Sequence, residues 1–302
     1  MSSAALTRVG LIGIGLMGHG MAKNIAAKGF PLTFLRRRSM PDAGNDLVAL
    51  GGKVAETPKE IAAACDVVIL CVTGSPEVEL VCFGANGIAE AARSGLIVID
   101  TSTAEPTSTA SLRQRFAALG VEFVDAPLAR TPVEAELGKL NTLVGATDDS
   151  FAKIEPVLKA YCENIFHVGP PGAGHKVKLM NNFIAQAICA ATAEAFAAAV
   201  KSGVDPKQLV RVVSAGGVNS GLFQAMAKTL DGDMGGLQFQ LDNARKDLRY
   251  YTHFTESMPL TSWMGEAVHQ TLVQACALGL GDGLVAELVT AAERVNRVKI
   301  TP

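Results

Sequence analysis

Short runs of aliphatic and β-branched residues alternate with longer amphipathic segments over the first half of the chain. The runs that predict strands are RVGLIG (8–13), PLTFL (31–35), VVILCV (67–72), LIVID (96–100), VEFVD (121–125) and LNTLVGA (140–146). Start signals precede some intervening segments: Thr57-Pro58-Lys59-Glu60 is typical of a capping box with proline in the first turn, and Ser75-Pro76 repeats the cap and proline. Because strands this apolar are buried on both faces, the pattern predicts an α/β domain with a parallel sheet covered by helices on both sides.

The hydrophobic pattern changes near residue 167. From 174 to about 201 the sequence has no proline, no internal glycine and apolar residues on nearly all sides, which predicts one long buried helix. Asp205-Pro206 marks the start of another helix, and helix-like segments continue to the end of the chain. We therefore expect an α/β domain over 1–167 and an all-α domain over 168–302, joined by the long helix.

Composition and charge exclude several classes of protein. The 302 residues include 27 basic and 29 acidic side chains, a balance unlike that of a general nucleic-acid or membrane-surface binder. The N-terminal sequence lacks the basic and apolar regions of a signal peptide, and apolar runs stay shorter than the roughly 18 residues of a membrane span. We therefore expect a cytoplasmic protein that binds neither nucleic acid nor membranes. The six cysteines form no C-x-x-C pair, and His19 and His175 lack partners at metal-ligand spacing, so reduced thiols and no metal are expected.

A glycine-rich turn follows the first predicted strand. It has the pattern G-x-G-x-x-G and consists of Gly13, Ile14, Gly15, Leu16, Met17 and Gly18. Glycine permits a tight turn and close approach of a ligand to the backbone, and the free N–H groups at the start of the following helix attract a pyrophosphate. The alternative is a purely structural turn, but the position between strand and helix favours dinucleotide binding.

Three consecutive arginines follow the second predicted strand, namely Arg36, Arg37 and Arg38. About twenty residues beyond a dinucleotide fingerprint, an acidic side chain selects NAD through the ribose 2′-hydroxyl, whereas arginine suits the 2′-phosphate of NADP. No Asp or Glu lies between Gly18 and Asp42. A solvated basic loop or a chance localisation-like sequence is the alternative, but the position favours NADPH as the cofactor.

A lysine and an asparagine lie one turn apart on the long predicted helix. Lys178 and Asn182 are four positions apart, so their side chains project from nearly the same side of the helix. A lysine in a largely apolar surround can transfer a proton to or from an alcohol oxygen near neutral pH. The spacing leaves open a second interpretation, in which the lysine faces solvent and the asparagine forms a hydrogen bond to another helix.

The motifs of this chain resemble those of the β-hydroxyacid dehydrogenase family. Residues 169–182 match the family's catalytic pattern G-x-x-G-x-G-x-x-x-K-x-x-x-N at every fixed position. Four further segments resemble family motifs in order, and the likeness covers nearly the whole chain: GLIGIGLMG (10–18), DTST (100–103), DAPLARTPVEAELG (125–138) and KDL (246–248).

The resemblance implies a Rossmann-type, doubly wound parallel sheet followed by an all-α domain. It also implies hydride exchange between a nicotinamide cofactor and a small hydroxy acid or aldehyde acid, with Lys178 as general acid/base and Asn182 orienting the lysine and the substrate. By the same resemblance, residues near the cofactor include Val72, Thr73, Thr103 and Lys246, and residues near the substrate include Ser102 and Gly174.

The substrate loop departs from the usual family sequence D-A-P-V-S-G-G, in which a hydroxyl and backbone N–H groups hold a carboxylate. This chain has Ala129-Arg130-Thr131 instead of S-G-G, and Glu134 where a further glycine is usual. An Arg-Thr pair at this place resembles the sulfolactaldehyde reductase branch, so Arg130 and Thr131 are expected to bind a carboxylate or sulfonate of the substrate. In the alternative, Arg130 forms an ion pair with Glu134 or Glu136 at the rim of the loop.

The sequence therefore predicts an NADPH-dependent reductase that converts a small anionic aldehyde to the hydroxy acid. A sulfolactaldehyde reductase-like enzyme is one alternative. An imine reductase or a non-catalytic NADP-binding relative is another, although proteins of those kinds usually lack the lysine. Apolar helices in the second domain favour a homodimer or homotetramer.

Overall fold

The structure is a computed structural model that describes residues 7–36 and 40–302. The chain forms two compact units, one ending at Lys178 and the other comprising Leu179–Pro302. The division falls inside a long helix, whereas the boundary expected from the sequence, between 167 and 168, lies within the strand that precedes this helix.

Among the described residues, the first unit contains a nine-stranded sheet with helices on both faces. The strands are β1 (Val9–Ile12), β2 (Leu32–Leu35), β3 (Lys53–Ala55), β4 (Val67–Leu70), β5 (Ile97–Asp100), β6 (Glu122–Asp125), β7 (Leu128–Ala129), β8 (Leu140–Gly145) and β9 (Cys162–Gly169). The helices are α1 (Gly18–Ala27), α2 (Asn45–Ala49), α3 (Pro58–Ala64), α4 (Ser75–Phe83), α5 (Pro106–Ala117), α6 (Pro132–Glu136), α7 (Asp148–Leu158) and the start of α8 (Ala173–Lys201).

The strands lie in the order β3-β2-β1-β4-β5-β6-β8-β7, and β9 pairs with β8. Strands β1 to β6 are parallel, so their carboxyl ends meet at one edge of the sheet, which we call the carboxyl edge. Helices alternate with these strands, which confirms the predicted fold class. The prediction of a parallel sheet is wrong for β8, which is antiparallel to β6 and β7. The connection 130–139 is shorter than the roughly one dozen residues that a parallel crossover needs.

Alternate residues of the parallel strands enter two separate hydrophobic cores. Leu11 and Ile69 belong to one core, on the face covered by α1 and α7. Ile12 and Val68 belong to the other, on the face covered by α3, α4 and α5. The continuous apolar runs in the sequence therefore correspond to strands buried on both faces, as predicted.

Strands β3, β7 and β9 were not predicted. The first two residues of β3 are exposed at the edge of the sheet, and β7 has only two residues. Strand β9 reads CENIFHVG and is half-exposed along most of its length, so it lacks the apolar run of a central strand. Edge strands carry a weaker hydrophobic signal because one side remains in water.

The predicted helix starts have different outcomes. Thr57 caps α3 as expected, since its hydroxyl accepts a hydrogen bond from the Glu60 amide. The prediction for Ser75 is wrong, because Gly74 occupies the cap position of α4. The Ser75 hydroxyl instead accepts a hydrogen bond from the Glu105 amide at 2.8 Å, which joins α4 to the segment before α5.

The second unit is helical. After α8, its helices are α9 (Pro206–Ser214), α10 (Gly221–Ala227), α11 (Leu241–Glu256), α12 (Trp263–Ala275) and α13 (Glu287–Asn296). Asp205 caps α9 through a hydrogen bond from the Lys207 amide, as predicted. By length and composition α8 could cross a membrane, but core helices also meet that criterion. Within the second unit, α8 buries Leu179, Cys189 and Phe196 completely in the hydrophobic core.

Gly20 provides a test of the packing between α1 and α6. A Cβ at this position would lie 2.5–2.6 Å from backbone atoms of Ala135 and Glu136. Helix propensity alone would make Gly20→Ala more stable by about 0.5–1 kcal/mol. We expect a net loss of about 1–3 kcal/mol instead, because the added methyl group forces the two backbones apart.

The unfolding free energy of Gly20→Ala can be measured by urea titration. The control is Gly221→Ala at the start of α10, where a Cβ would meet no atom within 4 Å. That variant should be as stable as the parent protein or more stable by up to about 1 kcal/mol. Equal stability of the two variants would contradict the close contact at Gly20.

Candidate active site

The glycine turn after β1 lies at the carboxyl edge and leads directly into α1. Gly13 has a φ of +105°, and a Cβ there would overlap the carbonyl oxygen of Cys71. A Cβ on Gly18 would overlap the Gly13 carbonyl in the same way. Gly15 differs, because no atom lies within 4 Å of a Cβ placed on it. Two glycines therefore permit the tight turn, and the third leaves the backbone open to a ligand at the start of α1.

Arg36 follows β2 at the same edge and is half-buried. Its Nη2 donates a hydrogen bond to Asn45 Oδ1 at 3.0 Å, and its guanidinium carbon lies 5.8 Å from the centre of the Phe34 ring. These contacts hold the guanidinium next to the start of α2. Arg37 and Arg38, the other two arginines predicted to bind the cofactor, lie outside the described residues.

The loops after β4 and β5 meet at the carboxyl edge. The buried Ser102 hydroxyl accepts a hydrogen bond from the Val72 amide at 3.1 Å. The Ser102 amide in turn donates to Asp100 Oδ1 at 2.9 Å. Thr73 is exposed and Thr103 is half-buried beside these residues. The structure thus brings together Val72 and Ser102, which sequence analysis assigned to the cofactor and the substrate.

A buried carboxylate fixes the start of α8 to the sheet. Asp125 ends β6, and its two oxygens accept hydrogen bonds from the amides of Gly172 at 2.6 Å and His175 at 2.9 Å. Burial raises the pKa of Asp125, and the electrostatic interaction with His175 and these hydrogen bonds oppose that rise. A Cβ on Gly174 would overlap the Leu143 carbonyl, so α8 begins directly against β8.

The His175 side chain extends this connection to two further elements. The ring is completely buried, and Nδ1 lies 2.7 Å from the Thr109 hydroxyl of α5. Nε2 lies 3.2 Å from the Ser102 carbonyl oxygen and 3.8 Å from Asp100 Oδ2. We call Asp100, Asp125 and His175 the α8 clamp, because together they attach the first turn of α8 to β5, β6 and α5.

Lys178 follows the α8 clamp by about one helical turn. It lies four residues after Gly174, which corresponds to about 6 Å along the helix axis. Lys178 is half-buried and is the last residue of the first unit. The clamp therefore also determines where the Lys178 backbone lies relative to the carboxyl edge.

Asn182 and Lys246 belong to the second unit. Asn182 is 6% exposed, and its Nδ2 donates a hydrogen bond to Oδ2 of Asp247, which is 2% exposed, at 2.6 Å. The Lys246 ammonium lies 3.2 Å from Oδ1 of the same carboxylate. Residues of α8 and α11 that the sequence assigned to one site are thus joined within this unit through Asp247.

Arg130 of the substrate loop, which was predicted to bind the substrate anion, instead contacts other groups of the protein. Arg130 forms an ion pair with Glu163, and Nη1 donates to the Lys139 carbonyl at 2.6 Å. The alternative ion pair with Glu134 or Glu136 is therefore not the one observed. From Leu140, next to this pair, to Gly145, beside the start of α8, strand β8 spans roughly 17 Å. The structure does not bring the Arg130 guanidinium to Ser102.

Thr131 caps α6 and has a structural partner. Its hydroxyl donates to the Glu134 carboxylate and accepts from the Val133 amide at 3.3 Å, and its own amide donates to Glu134 at 3.0 Å. These contacts complete a capping box. Glu134, which replaces a family glycine, thus supports the local fold of the loop, and a role of Thr131 in substrate binding stays a prediction.

Sequence analysis missed the acidic and polar residues that position this site. Asp100 and Asp125 end β5 and β6, and although both lie in segments that resemble family motifs, the sequence assigned neither of them a role. His175 was considered only as a metal ligand, for which it lacks partners at the required spacing. Thr109 had no distinctive signal, because its partner His175 is distant in sequence. Asp247 lies in the KDL segment, but only Lys246 of that segment was assigned a role.

Two sequence-family models match the chain along most of its length. The model for the NAD binding domain of 6-phosphogluconate dehydrogenase matches residues 8–169, and the model described as NAD-binding of NADP-dependent 3-hydroxyisobutyrate dehydrogenase matches residues 172–291. The chain belongs to the β-hydroxyacid dehydrogenase family. This confirms the resemblance drawn from the motifs.

Individual relatives agree with this family assignment. The chain is 30% identical over 299 residues to 2-(hydroxymethyl)glutarate dehydrogenase of Eubacterium barkeri, covering 97% of each protein. It is 31% identical over 275 residues to L-threonate dehydrogenase of Cupriavidus necator, covering 90% of this chain and 92% of the relative. The crystal structure of 3-hydroxyisobutyrate dehydrogenase from Salmonella typhimurium superposes with a TM-score of 0.80 at 26% identity, over 94% of this chain and 99% of that one. This β-hydroxyacid dehydrogenase is thus an NAD(P)-dependent oxidoreductase that acts on CH–OH groups.

A second polar cluster lies beside the glycine turn of this β-hydroxyacid dehydrogenase. His19 in α1 has Nδ1 2.7 Å from Glu136 Oε1 of α6 and Nε2 2.8 Å from Asp46 Oδ2 of α2. The Lys23 ammonium lies 3.1 Å from the other oxygen of Glu136. The hydrogen bond to Glu136 raises the pKa of His19, partial burial opposes the rise, and Asp46 adds to it. An imidazolium donates from both nitrogens, so protonated His19 can satisfy both carboxylates at once.

The His19 cluster predicts a pH-dependent contribution to stability. Because folding raises the pKa of this histidine, its contribution is fully present below the ordinary value of about 6.5 and is lost as the pH rises through the folded-state value. His19→Gln should therefore lower the thermal unfolding midpoint more at acidic pH than at alkaline pH. Glu136→Gln, which removes the largest cause of the shift, should reduce the same pH dependence. A difference in unfolding midpoint between His19→Gln and the parent protein that is the same at every pH would contradict this account.

Proposed function

We propose that this protein is an NADPH-dependent reductase that converts a small aldehyde acid to the hydroxy acid, and that the reaction is reversible. One observation supports the proposal most strongly. The α8 clamp attaches the start of α8 to the edge of the sheet that carries Ser102 and the glycine turn. Lys178, on the next turn of that helix, is thereby held close to the nucleotide-binding side of the first unit.

The residues at the carboxyl edge fit a nicotinamide dinucleotide. The open backbone at Gly15 and the start of α1 suit a pyrophosphate, and Arg36 suits the 2′-phosphate of NADP. In the proposal, Val72, Thr73 and Thr103 line the nicotinamide end, and Lys246 lies near the nicotinamide or the substrate. The bound nicotinamide supplies the hydride for the carbonyl carbon.

Lys178 acts on the oxygen of the substrate. In reduction its ammonium donates a proton to the carbonyl oxygen, and in oxidation the neutral amine accepts a proton from the alcohol. Such general acid–base assistance contributes typically about 10²–10⁴-fold to a rate. Asn182, four residues further along α8, orients the lysine and the substrate. Ser102 and Gly174 border the substrate from the first unit.

The contacts of Arg130 argue against a direct role of this guanidinium in binding the substrate anion, whether that anion is a carboxylate or a sulfonate. In the sulfolactaldehyde reductase-like alternative, Arg130 would bind the sulfonate, yet its guanidinium already has the Glu163 carboxylate and the Lys139 carbonyl as partners. The imine reductase and non-catalytic alternatives are disfavoured by the presence of both Lys178 and Asn182.

Lys178→Met tests the proposed mechanism. The variant should lose at least about 10²-fold in kcat, because no other group is proposed to supply the proton. NADPH affinity, measured by fluorescence titration, should stay unchanged. Turnover is assayed with succinic semialdehyde, tartronate semialdehyde, methylmalonate semialdehyde and sulfolactaldehyde.

Lys176→Met is the matched control for this experiment. Lys176 is an exposed lysine on the same turn of α8, and its removal should leave kcat within about twofold of the parent value. Turnover retained by Lys178→Met would refute the mechanism. Absence of turnover by the parent protein with every aldehyde acid would refute the proposed function.

Arg36→Asp tests the choice of cofactor. One or two charge-assisted hydrogen bonds to the 2′-phosphate should favour NADPH over NADH by about tenfold to several hundredfold, and the variant should lose most of that preference. The measurement is the ratio of kcat/KM with the two cofactors. Arg211→Asp on α9 is a control with the same change in charge and should keep the ratio. An unchanged ratio in Arg36→Asp would contradict the assignment of Arg36 to the 2′-phosphate of NADP.

A further inference from the structure

A buried carboxylate faces the amide of Asn182 across the second unit. Asp247 lies on α11, and both side chains are almost completely buried. The distance of 2.6 Å between Asn182 Nδ2 and Asp247 Oδ2 is that of a strong, charge-assisted hydrogen bond. Phe183 of α8 stacks on Tyr251 of α11 with ring centres 4.5 Å apart, so the two helices are in firm contact beside this pair.

The chemistry of this pair fixes the direction of the amide. A side-chain amide has a donor end and an acceptor end, whereas an ionised carboxylate only accepts hydrogen bonds. The nitrogen of Asn182 must therefore face Asp247, and its oxygen must face the opposite way. The Asn181 side chain agrees with this direction, since its Nδ2 donates to Asn182 Oδ1 at 3.2 Å.

Lys246 holds the other side of the same carboxylate. Its ammonium lies 3.2 Å from Asp247 Oδ1, while Oδ2 receives the Asn182 hydrogen bond. The ammonium thus lies beside the carboxylate as an ion pair, although Oδ1 accepts no hydrogen bond among the described residues, whereas Oδ2 accepts one from Asn182. Asp247 in this way connects Lys246 and Asn182, two residues of the proposed site.

We propose that Asp247 is a positioning residue that sets the direction of the Asn182 amide, and that turnover requires this direction. The inference rests on the proposed function, in which Asn182 orients the lysine and the substrate. Without Asp247, Asn182 could present either its nitrogen or its oxygen, and only one of these matches a given donor or acceptor of the reacting groups.

Asp247→Asn is an informative variant because it keeps the size and shape of the side chain. The Lys246 ammonium attracts the oxygen of the new amide, so its nitrogen would turn toward Asn182. Asn182 would then accept instead of donate, and its amide would reverse. A hydrogen bond remains between positions 182 and 247, so the fold should tolerate the change.

We expect kcat of Asp247→Asn with succinic semialdehyde and NADPH to fall by about 10- to 100-fold. Its NADPH dissociation constant should stay within about twofold, and its thermal unfolding midpoint should stay within a few degrees of the parent value. The matched control is Asp242→Asn, which removes one carboxylate from the same helix at an exposed position beside Arg245. That variant should keep the parent kcat.

A direct observation of the amide complements the kinetics. The side-chain NH₂ signals of Asn182 can be assigned by their loss in Asn182→Asp. In the parent protein these hydrogens should exchange with water about tenfold or more slowly than in Asp247→Asn, where the reversed amide no longer donates to a buried carboxylate. This readout applies even if Asp247→Asn proves catalytically inactive for another reason, and even if no aldehyde acid is a substrate.

Three results would overturn the inference. The first is a folded Asp247→Asn variant with the parent kcat. The second is a loss of kcat that is matched by losses in NADPH affinity and unfolding midpoint, which indicates a merely structural role. The third is rapid exchange of the Asn182 amide in the parent protein. Failure of the proposed function is separate, because it appears as absence of turnover by the parent protein while the exchange measurement still decides the direction of the amide.

Discussion

The buried hydrogen bonds between Asp125 and the first turn of α8 are the constraint on which the rest of the site depends. The first N–H groups of a helix have no partner within the helix, and a buried group left without a partner costs about 1–3 kcal/mol. Asp125 satisfies the Gly172 and His175 amides, and those amides compensate the buried charge. Helix and sheet thus meet with these two amides satisfied, whereas the nearby Asp100 Oδ2 accepts no hydrogen bond from the part of the chain that the structure describes and lies 3.8 Å from His175 Nε2.

This constraint determines the position of the helical turn from which Lys178 projects. Gly174 permits α8 to begin directly on β8, and the His175 ring links the same turn to α5 and to the loop that carries Ser102. Lys178 therefore projects from a turn whose position is set by buried groups on three sides. In the second unit, the buried pair of Asn182 and Asp247 fixes a side-chain direction rather than a backbone position. In both arrangements a buried carboxylate accepts hydrogen bonds and thereby fixes the direction of the groups that donate them.

Central strands and long helices could be predicted from the sequence because their signals are local. The apolar runs at 67–72 and 96–100 contain β4 and β5, and α8 lies within one residue of its predicted start. Edge strands such as β9 were missed because exposure weakens the apolar pattern. The antiparallel direction of β8 depends on the length of its connection, which the strand pattern does not show.

The candidate site was only partly predictable for a related reason. Glycine patterns and the spacing of Lys178 and Asn182 are visible in the sequence, whereas the partners of a side chain are determined by the tertiary fold. Ser75, Arg130 and Thr131 illustrate this point, since the hydroxyl of Ser75 bonds to the Glu105 amide and the loop residues bond to Glu163 and Glu134. A residue type suggests which chemistry is possible, but only the fold shows which partner uses it.

The most direct test of this account is a crystal structure of the protein with NADP⁺ and the hydroxy acid product of a confirmed substrate. The account predicts that Lys178 Nζ lies within about 3 Å of the hydroxyl oxygen of the acid, with the reactive carbon of the nicotinamide against the carbon that bears that hydroxyl. A structure in which the Lys178 amine points to solvent, away from a dinucleotide bound along the glycine turn, would contradict it.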